Sequence, residues 1–236
     1  ALDNPPAGWR CFNPAAAKPV MAALLAGDPV QIKNDLKTEV DLEWLPQDEI
    51  ITSGPDSNPK SNSTSGPVLA LREAPAEEDV FTLHPTTHVI GIGCERGVPV
   101  DDVRSLVEAS LTDASVALGA VACLATIDLK EDECAFRELA AEWALPLRLY
   151  TAAELEEETP RVQNAAPYVF ETVGCHSVAE AAALRSAGTS AELVLPKCKN
   201  ERVTCAIARA DTIVDPDTAG RACGRLTIVG IGPGQA

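Results

Sequence analysis

Aromatic side chains are scarce in this sequence: three Trp, two Tyr and four Phe in 236 residues, with a single Met. Its core must therefore rest on Ala and branched aliphatics. Basic residues are also few. Nineteen Lys and Arg stand against 35 Asp and Glu, for a net charge of −16. Binding a polyanion needs clustered cations, so a nucleic-acid surface is excluded, and anionic membranes are poor partners. An anionic small molecule fits only through a locally basic pocket that overcomes the global field. Long apolar runs are missing as well. None reaches the roughly 18 residues of a membrane-spanning helix, and the best stretch, 116–127, is short and broken by Gly119. No C-x-x-C pair occurs among the cysteines at 11, 94, 123, 134, 175, 198, 205 and 223. A chain with this much aliphatic core does not call for a disulfide framework, so reduced thiols and a cytoplasmic location are expected. The cysteine spacing also argues against zinc, and no metal site is expected.

What is present divides the chain. Residues 1–50 form a first small α/β block, with a helix over 14–25 and one or two short strands within 30–44. Residues 51–86 begin with a Ser/Asn/Pro/Gly-rich run and read as linker and loop, with a short strand at 68–72. From 87 to 210 the pattern sharpens. Apolar runs at 88–94, 121–127, 147–150, 169–173, 192–195 and 203–208 read as strands. Helical periodicity marks 101–111, 131–143, 152–157 and 178–187. Such alternation predicts a three-layer α/β/α sandwich around a largely parallel sheet. Residues 211–236 read as a second linker and a further strand ending in a Gly-rich turn, Gly230-Ile-Gly-Pro-Gly234.

Helix starts follow several strands. Thr151-Ala-Ala-Glu154, Ser177-Val-Ala-Glu180 and Asp128-Leu-Lys-Glu131 each match a capping box. In a parallel sheet these junctions share the carboxyl edge, where ligands meet helix N-termini.

Four motifs then occur in order: Gly91-Ile-Gly-Cys-Glu-Arg-Gly97, Ile127-Asp-Leu-Lys-Glu-Asp-Glu133, Val173-Gly-Cys-His-Ser-Val-Ala-Glu-Ala-Ala-Ala-Leu184, and Lys197 followed by Thr204-Cys-Ala-Ile-Ala-Arg209. Together, across about 120 residues, they resemble the C-terminal domain of the CbiG/CobE family of cobalamin-biosynthesis proteins. Residues 2–9, Leu-Asp-Asn-Pro-Pro-Ala-Gly-Trp, are similar to the middle of full-length CbiG proteins, so 1–50 is expected to be part of that region. The family's N-terminal region, with its own Gly-rich motif, is expected to lie outside this chain, whose two ends read as cut from something longer. Residues 224–234 resemble the opening strand and loop of a tetrapyrrole methyltransferase, as in a fusion with a precorrin-3B C17-methyltransferase. S-adenosylmethionine would belong to that missing part, and no cofactor is expected in this chain.

The resemblance implies a precorrin or cobalt-precorrin tetrapyrrole as ligand and other corrin-pathway enzymes as partners. Full CbiG proteins are taken to open the lactone of cobalt-precorrin-5A with loss of acetaldehyde, whereas CobE proteins fit a corrinoid-binding role. Both readings stand here. Substrate contacts are expected from Gly91, Gly93, Arg96, Gly97, Lys130, Glu133, Ser177, Lys197 and Thr204. Lys199 and Arg202 extend the basic segment. Arg and Lys suit a ligand with many acid arms. Glycines at the first turn either admit a ligand to the backbone or shape a tight turn. Glu180 is either a catalytic base or the second half of a capping box. Cys94 is either a nucleophile or a buried thiol. Glu133 could instead pair with Lys130 on an exposed helix turn, and His176 is a lone loop histidine. Val98 stands where the family often carries a polar residue before Pro99.

Overall fold

A computed structural model describes residues 4–38, 40–45 and 66–223, and the backbone of 50–53. The chain forms two sheets. The first comprises β1 (Trp9–Phe12), β2 (Val30–Asn34), β3 (Ile50–Ser53), β4 (Val68–Leu71) and β5 (Phe81–Pro85), in the order β1-β5-β4-β2-β3. Helix α1 (Ala17–Ala26) packs its Val20 face into a core of Ile32, Leu69, Leu71, Phe81 and Leu83. Residues 51–86 are thus more than linker. Three strands use part of this range, because Val68–Leu71 and Phe81–Pro85 are apolar enough to be buried almost throughout. The Ser/Asn-rich run at 54–65 lies outside the described residues.

The second sheet is built from β6 (His88–Cys94), β7 (Val121–Ile127), β8 (Leu147–Tyr150), β9 (Glu192–Lys199), β10 (Val203–Arg209) and β11 (Arg221–Ala222), in the order β11-β8-β7-β6-β10-β9. One face carries α2 (Val100–Ala114) and α3 (Cys134–Glu142), whose Val103, Val107, Phe136 and Leu139 meet Ile90, Ile92, Leu124 and Leu149. Each such fully buried side chain contributes about 1.5–3 kcal/mol. The other face carries α4 (Ala152–Glu156) and α6 (Ala179–Ala187). Between them in sequence lies α5 (Pro167–Val173). Three α/β/α layers are present, as the alternation predicts.

Pairing within the second sheet is mixed. The β6–β7 and β7–β8 ladders are parallel, as expected, while β10 runs antiparallel to both β6 and β9, and β11 antiparallel to β8. For β10 the cause is connection length. Only residues 200–202 join β9 to β10, enough for a hairpin but far too few for a parallel crossover.

Residues 169–173 are helical, not a strand. The run Tyr-Val-Phe-Glu-Thr-Val is rich in β-formers, but Pro167 opens the helix and Gly174 closes it, donating to the Phe170 carbonyl at 2.9 Å. The element has no buried residue, so no sheet competes for it.

Of the three capping boxes, only that of Thr151 and Glu154 forms, with both reciprocal bonds in place. Asp128–Lys130 makes a 3-10 turn, and α3 begins at Cys134 without a side-chain cap. Helix α6 likewise starts without one, because apolar Val178 holds its N-cap position and Glu180 is engaged elsewhere. The methyltransferase-like stretch, 224–236, lies outside the described residues. Among the described residues, no helix is long and apolar enough to cross a membrane.

Candidate functional site

The carboxyl ends of β6 and β7 open onto a cleft of about 510 Å³, within the roughly 300–1,000 Å³ usual for ligand sites. The β9–β10 hairpin forms one wall, the start of α6 the floor, and α5 the opposite wall. Five basic side chains line it (Arg96, Lys130, Lys197, Lys199 and Arg202) against two acidic ones, Glu95 and Glu201. In a chain of net charge −16 this is a local reversal of sign. A larger groove of about 670 Å³, beside Cys134, Ala141, Leu145 and Cys223, holds none of the sequence-predicted residues.

The cations differ in how far they are engaged. Arg96 pairs with Asp132 at 3.0 Å and donates to the Leu129 carbonyl at 2.8 Å. Arg202 lies 3.3 Å from Glu95, and Lys197 Nζ donates to the Asn164 carbonyl at 2.9 Å. Among the described residues, Lys130 and Lys199 have no ion-pair partner within 4 Å. Beneath them Ser177 is 2% exposed and its hydroxyl has no hydrogen-bond partner. A buried hydroxyl without a partner costs on the order of 1–3 kcal/mol, so a ligand oxygen would recover that loss. The first-turn amides of α6, which lack intrahelical acceptors, lie at the same place.

Gly93, Cys94, Arg96, Lys130, Ser177, Lys197 and Thr204 therefore meet in one cleft. Four other expected residues do not line it. Gly91 serves packing: a Cβ there would lie 1.8 Å from the Ala179 carbonyl oxygen, so its absence lets α6 sit directly on β6. Gly97 adopts φ +67 and donates its amide to both Glu133 oxygens, at 3.2 and 3.1 Å. Glu133 is 5% exposed. It does not line the cleft and is not an exposed partner of Lys130; it clamps the turn after β6. Val98 is buried in the core beside α2, which explains an apolar residue there.

Glu180 is fully buried behind the cleft floor. One oxygen accepts from the amides of Gln163 and Asn164 at 2.8 and 2.9 Å, and the other from Asn164 Nδ2 and the Lys197 amide at 2.7 and 2.8 Å. Burial pushes its pKa up, but these donors outweigh burial and hold it below the ordinary carboxylate value. The residue ties the 163–164 loop to β9 and leaves no free lone pair aimed at a ligand. Cys94 is pushed up to about 11, chiefly by burial, with nearby Lys130 only partly offsetting it. It stays a thiol at neutral pH, six residues ahead of the α2 start and beyond reach of that helix dipole. His176 bonds Glu156 through Nδ1 at 2.9 Å and stacks on Phe170 at 4.7 Å, so its role is to fasten α5.

Residues 88–208 match the family described as Cobalamin synthesis G C-terminus. The chain belongs to that family, and so to cobalamin biosynthesis. It is 41% identical over 125 residues to Protein CobE from Sinorhizobium sp, covering 53% of this chain and 81% of that protein. It is 27% identical over 180 residues to a cobalt-precorrin-5A hydrolase from Priestia megaterium, covering 76% of this chain. It spans only 44% of that hydrolase's length. Among solved structures, a CobE from the cobalamin biosynthetic pathway aligns with 34% identity and a TM-score of 0.49, covering 53% of this chain and 91% of its own.

Sequence reasoning missed the α5 wall of the cleft. Tyr168 is 77% exposed, and Val169, Thr172 and Val173 line the same side. The signal was present: Pro167 and Gly174 bracket seven residues as helix start and stop.

Proposed function

We propose that this chain binds a precorrin or cobalt-precorrin in the β6–β7 cleft, as a binding module rather than a hydrolase. The observation that carries the reading is the set of unengaged groups around one cleft: Lys130, Lys199 and the orphan hydroxyl of Ser177. A corrin precursor bears many acetate and propionate arms, which suit clustered cations and donors. Tyr168, Val169 and Val173 add an apolar wall for the ring itself. Hydrolysis is disfavoured because neither expected catalytic group is poised. Glu180 is saturated with donors, and Cys94 is protonated at neutral pH. In this reading the chain hands an intermediate to other corrin-pathway enzymes, a methyltransferase of the kind residues 224–234 resemble among them.

Titration with hydrogenobyrinic acid tests this. A shift of its visible spectrum is expected, with affinity falling about tenfold in Lys130→Glu, the equivalent of one lost carboxylate contact at about 1.4 kcal/mol. Tyr168→Ala should also weaken binding, with less dependence on salt. No shift at high micromolar ligand would overturn the proposal. Release of acetaldehyde from cobalt-precorrin-5A at turnover rates would instead favour the hydrolase reading suggested by the Priestia relative.

A further inference from the structure

The β9–β10 hairpin has a second face, turned away from the cleft. Side chains alternate along its strands, so Lys197, Lys199 and Thr204 line the cleft while Cys198 and Cys205 pack toward α2. Cys198 and Cys205 are direct partners in the antiparallel register. Residues so opposed have Cα atoms roughly 4.5–5.5 Å apart, inside the roughly 4.4–6.8 Å that a disulfide spans. Both are free thiols, Cys205 fully buried and Cys198 half-buried.

Their surroundings are unequal. Cys198 Sγ donates to the Cys205 carbonyl at 3.3 Å and lies 3.0 Å from Ser110 Oγ on α2. The Cys205 thiol, then Ser110, stabilise a Cys198 thiolate against the cost of burial and bring its pKa down to about 6. Cys205 moves the other way, raised first by its bond to Cys198 and then by burial. Cys94, Cys123 and Cys175 are all pushed up, to about 11, 12 and 11, chiefly by burial. The half-buried Cys198 sulfur, the more readily ionised, thus faces one strongly protonated thiol across a single ladder rung, an attacking and a resolving sulfur.

We propose that Cys198 and Cys205 form a peroxide-sensitive dithiol that closes to an intramolecular disulfide on the back of the cleft's hairpin. The Cys198 thiolate attacks one oxygen of hydrogen peroxide. The O–O bond breaks, a sulfenic acid forms, and the departing hydroxide takes a proton to leave as water. Cys205 sulfur then attacks the sulfenic sulfur. The S–S bond forms, the S–O bond breaks, and the Cys205 proton leaves with the hydroxide as a second water. Two thiols are oxidised and one peroxide is reduced. A dithiol reductant such as dithiothreitol reverses the change by exchange.

The test is alkylation mapping of the native chain after brief, stoichiometric hydrogen peroxide. Mass spectrometry should show the intact chain lighter by two hydrogens, with the peptides holding Cys198 and Cys205 joined, and dithiothreitol should restore both. In Cys205→Ser the sulfenic acid should persist at Cys198 and be trapped by dimedone. Because the wild-type measurement needs no variant, a folding defect in Cys205→Ser leaves it decisive. Cys198 and Cys205 still free while another cysteine is oxidised, or Cys198 carried to the sulfinic acid without a cross-link, would each overturn the proposal.

Discussion

At its amino end β6 begins with His88, packed where the two sheets meet. At its carboxyl end, six residues on, it opens into the cleft. Both ends collect charged and polar groups, and they treat them in opposite ways. At the first, Glu73 is buried and accepts from Thr87 Oγ1 at 3.3 Å, while Arg209 lies 3.9 Å from it and also pairs with Glu192. At the second, Lys130, Lys199 and Ser177 have no such partners among the described residues. A buried charge that is matched belongs to the fold, since leaving it unmatched is costly. Groups left unmatched beside an open cleft remain free to meet a ligand. The two ends of β6 therefore meet different clusters, one matched within the fold and one that the proposed reading assigns to a ligand, told apart by whether each group already has its partner.

The largest expected effect tests the matched kind at the cleft floor. Glu180→Gln keeps the shape but puts an amide NH₂ where four N–H donors converge. Stability should fall by on the order of 3–5 kcal/mol, as when a buried charged partner is removed, read as a lower urea midpoint. A variant that folds as stably as the wild type, yet loses activity on a precorrin, would return Glu180 to the catalytic reading.

The amino-end cluster gives a slightly smaller effect, as a pH dependence. Burial, the largest influence, lowers the His88 pKa from 6.5 to about 4, with Glu73 opposing and Arg209 and Lys37 assisting. The unfolded state thus binds a proton that the folded state refuses between those values. Stability is full above about pH 6.5 and is lost as pH falls toward 4, by about 3 kcal/mol at most. Urea midpoints measured from pH 7 to 4.5 should drop before most carboxylates titrate. His88→Gln should make that window shallower, with buried His84, whose pKa burial also lowers, leaving a residual slope; an unchanged slope would show that His88 charges freely.

Much of this was legible beforehand, and the exceptions have physical causes. Strands β6, β7, β8 and β10 and helices α2, α3 and α6 follow from apolar periodicity, because each buries a continuous face. The cations at 96 and 130 were also readable, since each follows a strand end, while Lys197 lies inside β9, which runs past the expected end at 195. Helix α5 was misread despite the Pro167 and Gly174 that mark its ends, because its β-branched and aromatic residues suit a strand wherever a sheet edge is available, and here none is. Glu133 and Glu180 misled for another reason. A carboxylate near a helix start looks alike in sequence whether it caps its own helix, faces a ligand or reaches across to bind Gly97 or β9. Only long-range contact separates these cases.

Two hydroxyls written in the same motif sharpen the comparison at the smallest scale. Thr151 and Ser177 both precede a helix by one S/T-x-x-E step, but Thr151 Oγ1 accepts the Glu154 amide at 3.3 Å while Ser177 Oγ bonds nothing. Thr151→Ala should cost about 1 kcal/mol, the usual loss of an N-cap, and leave corrinoid affinity unchanged, since Thr151 does not line the cleft. Ser177→Ala should do the reverse. It removes a buried polar atom without removing a bond, so the thermal midpoint should stay level or rise, while hydrogenobyrinic acid should bind several-fold more weakly. If Ser177→Ala instead destabilised the fold as Thr151→Ala does, its hydroxyl would be one more structural group with a partner, and the contrast between matched and unmatched ends of β6 would fail at its most buried point.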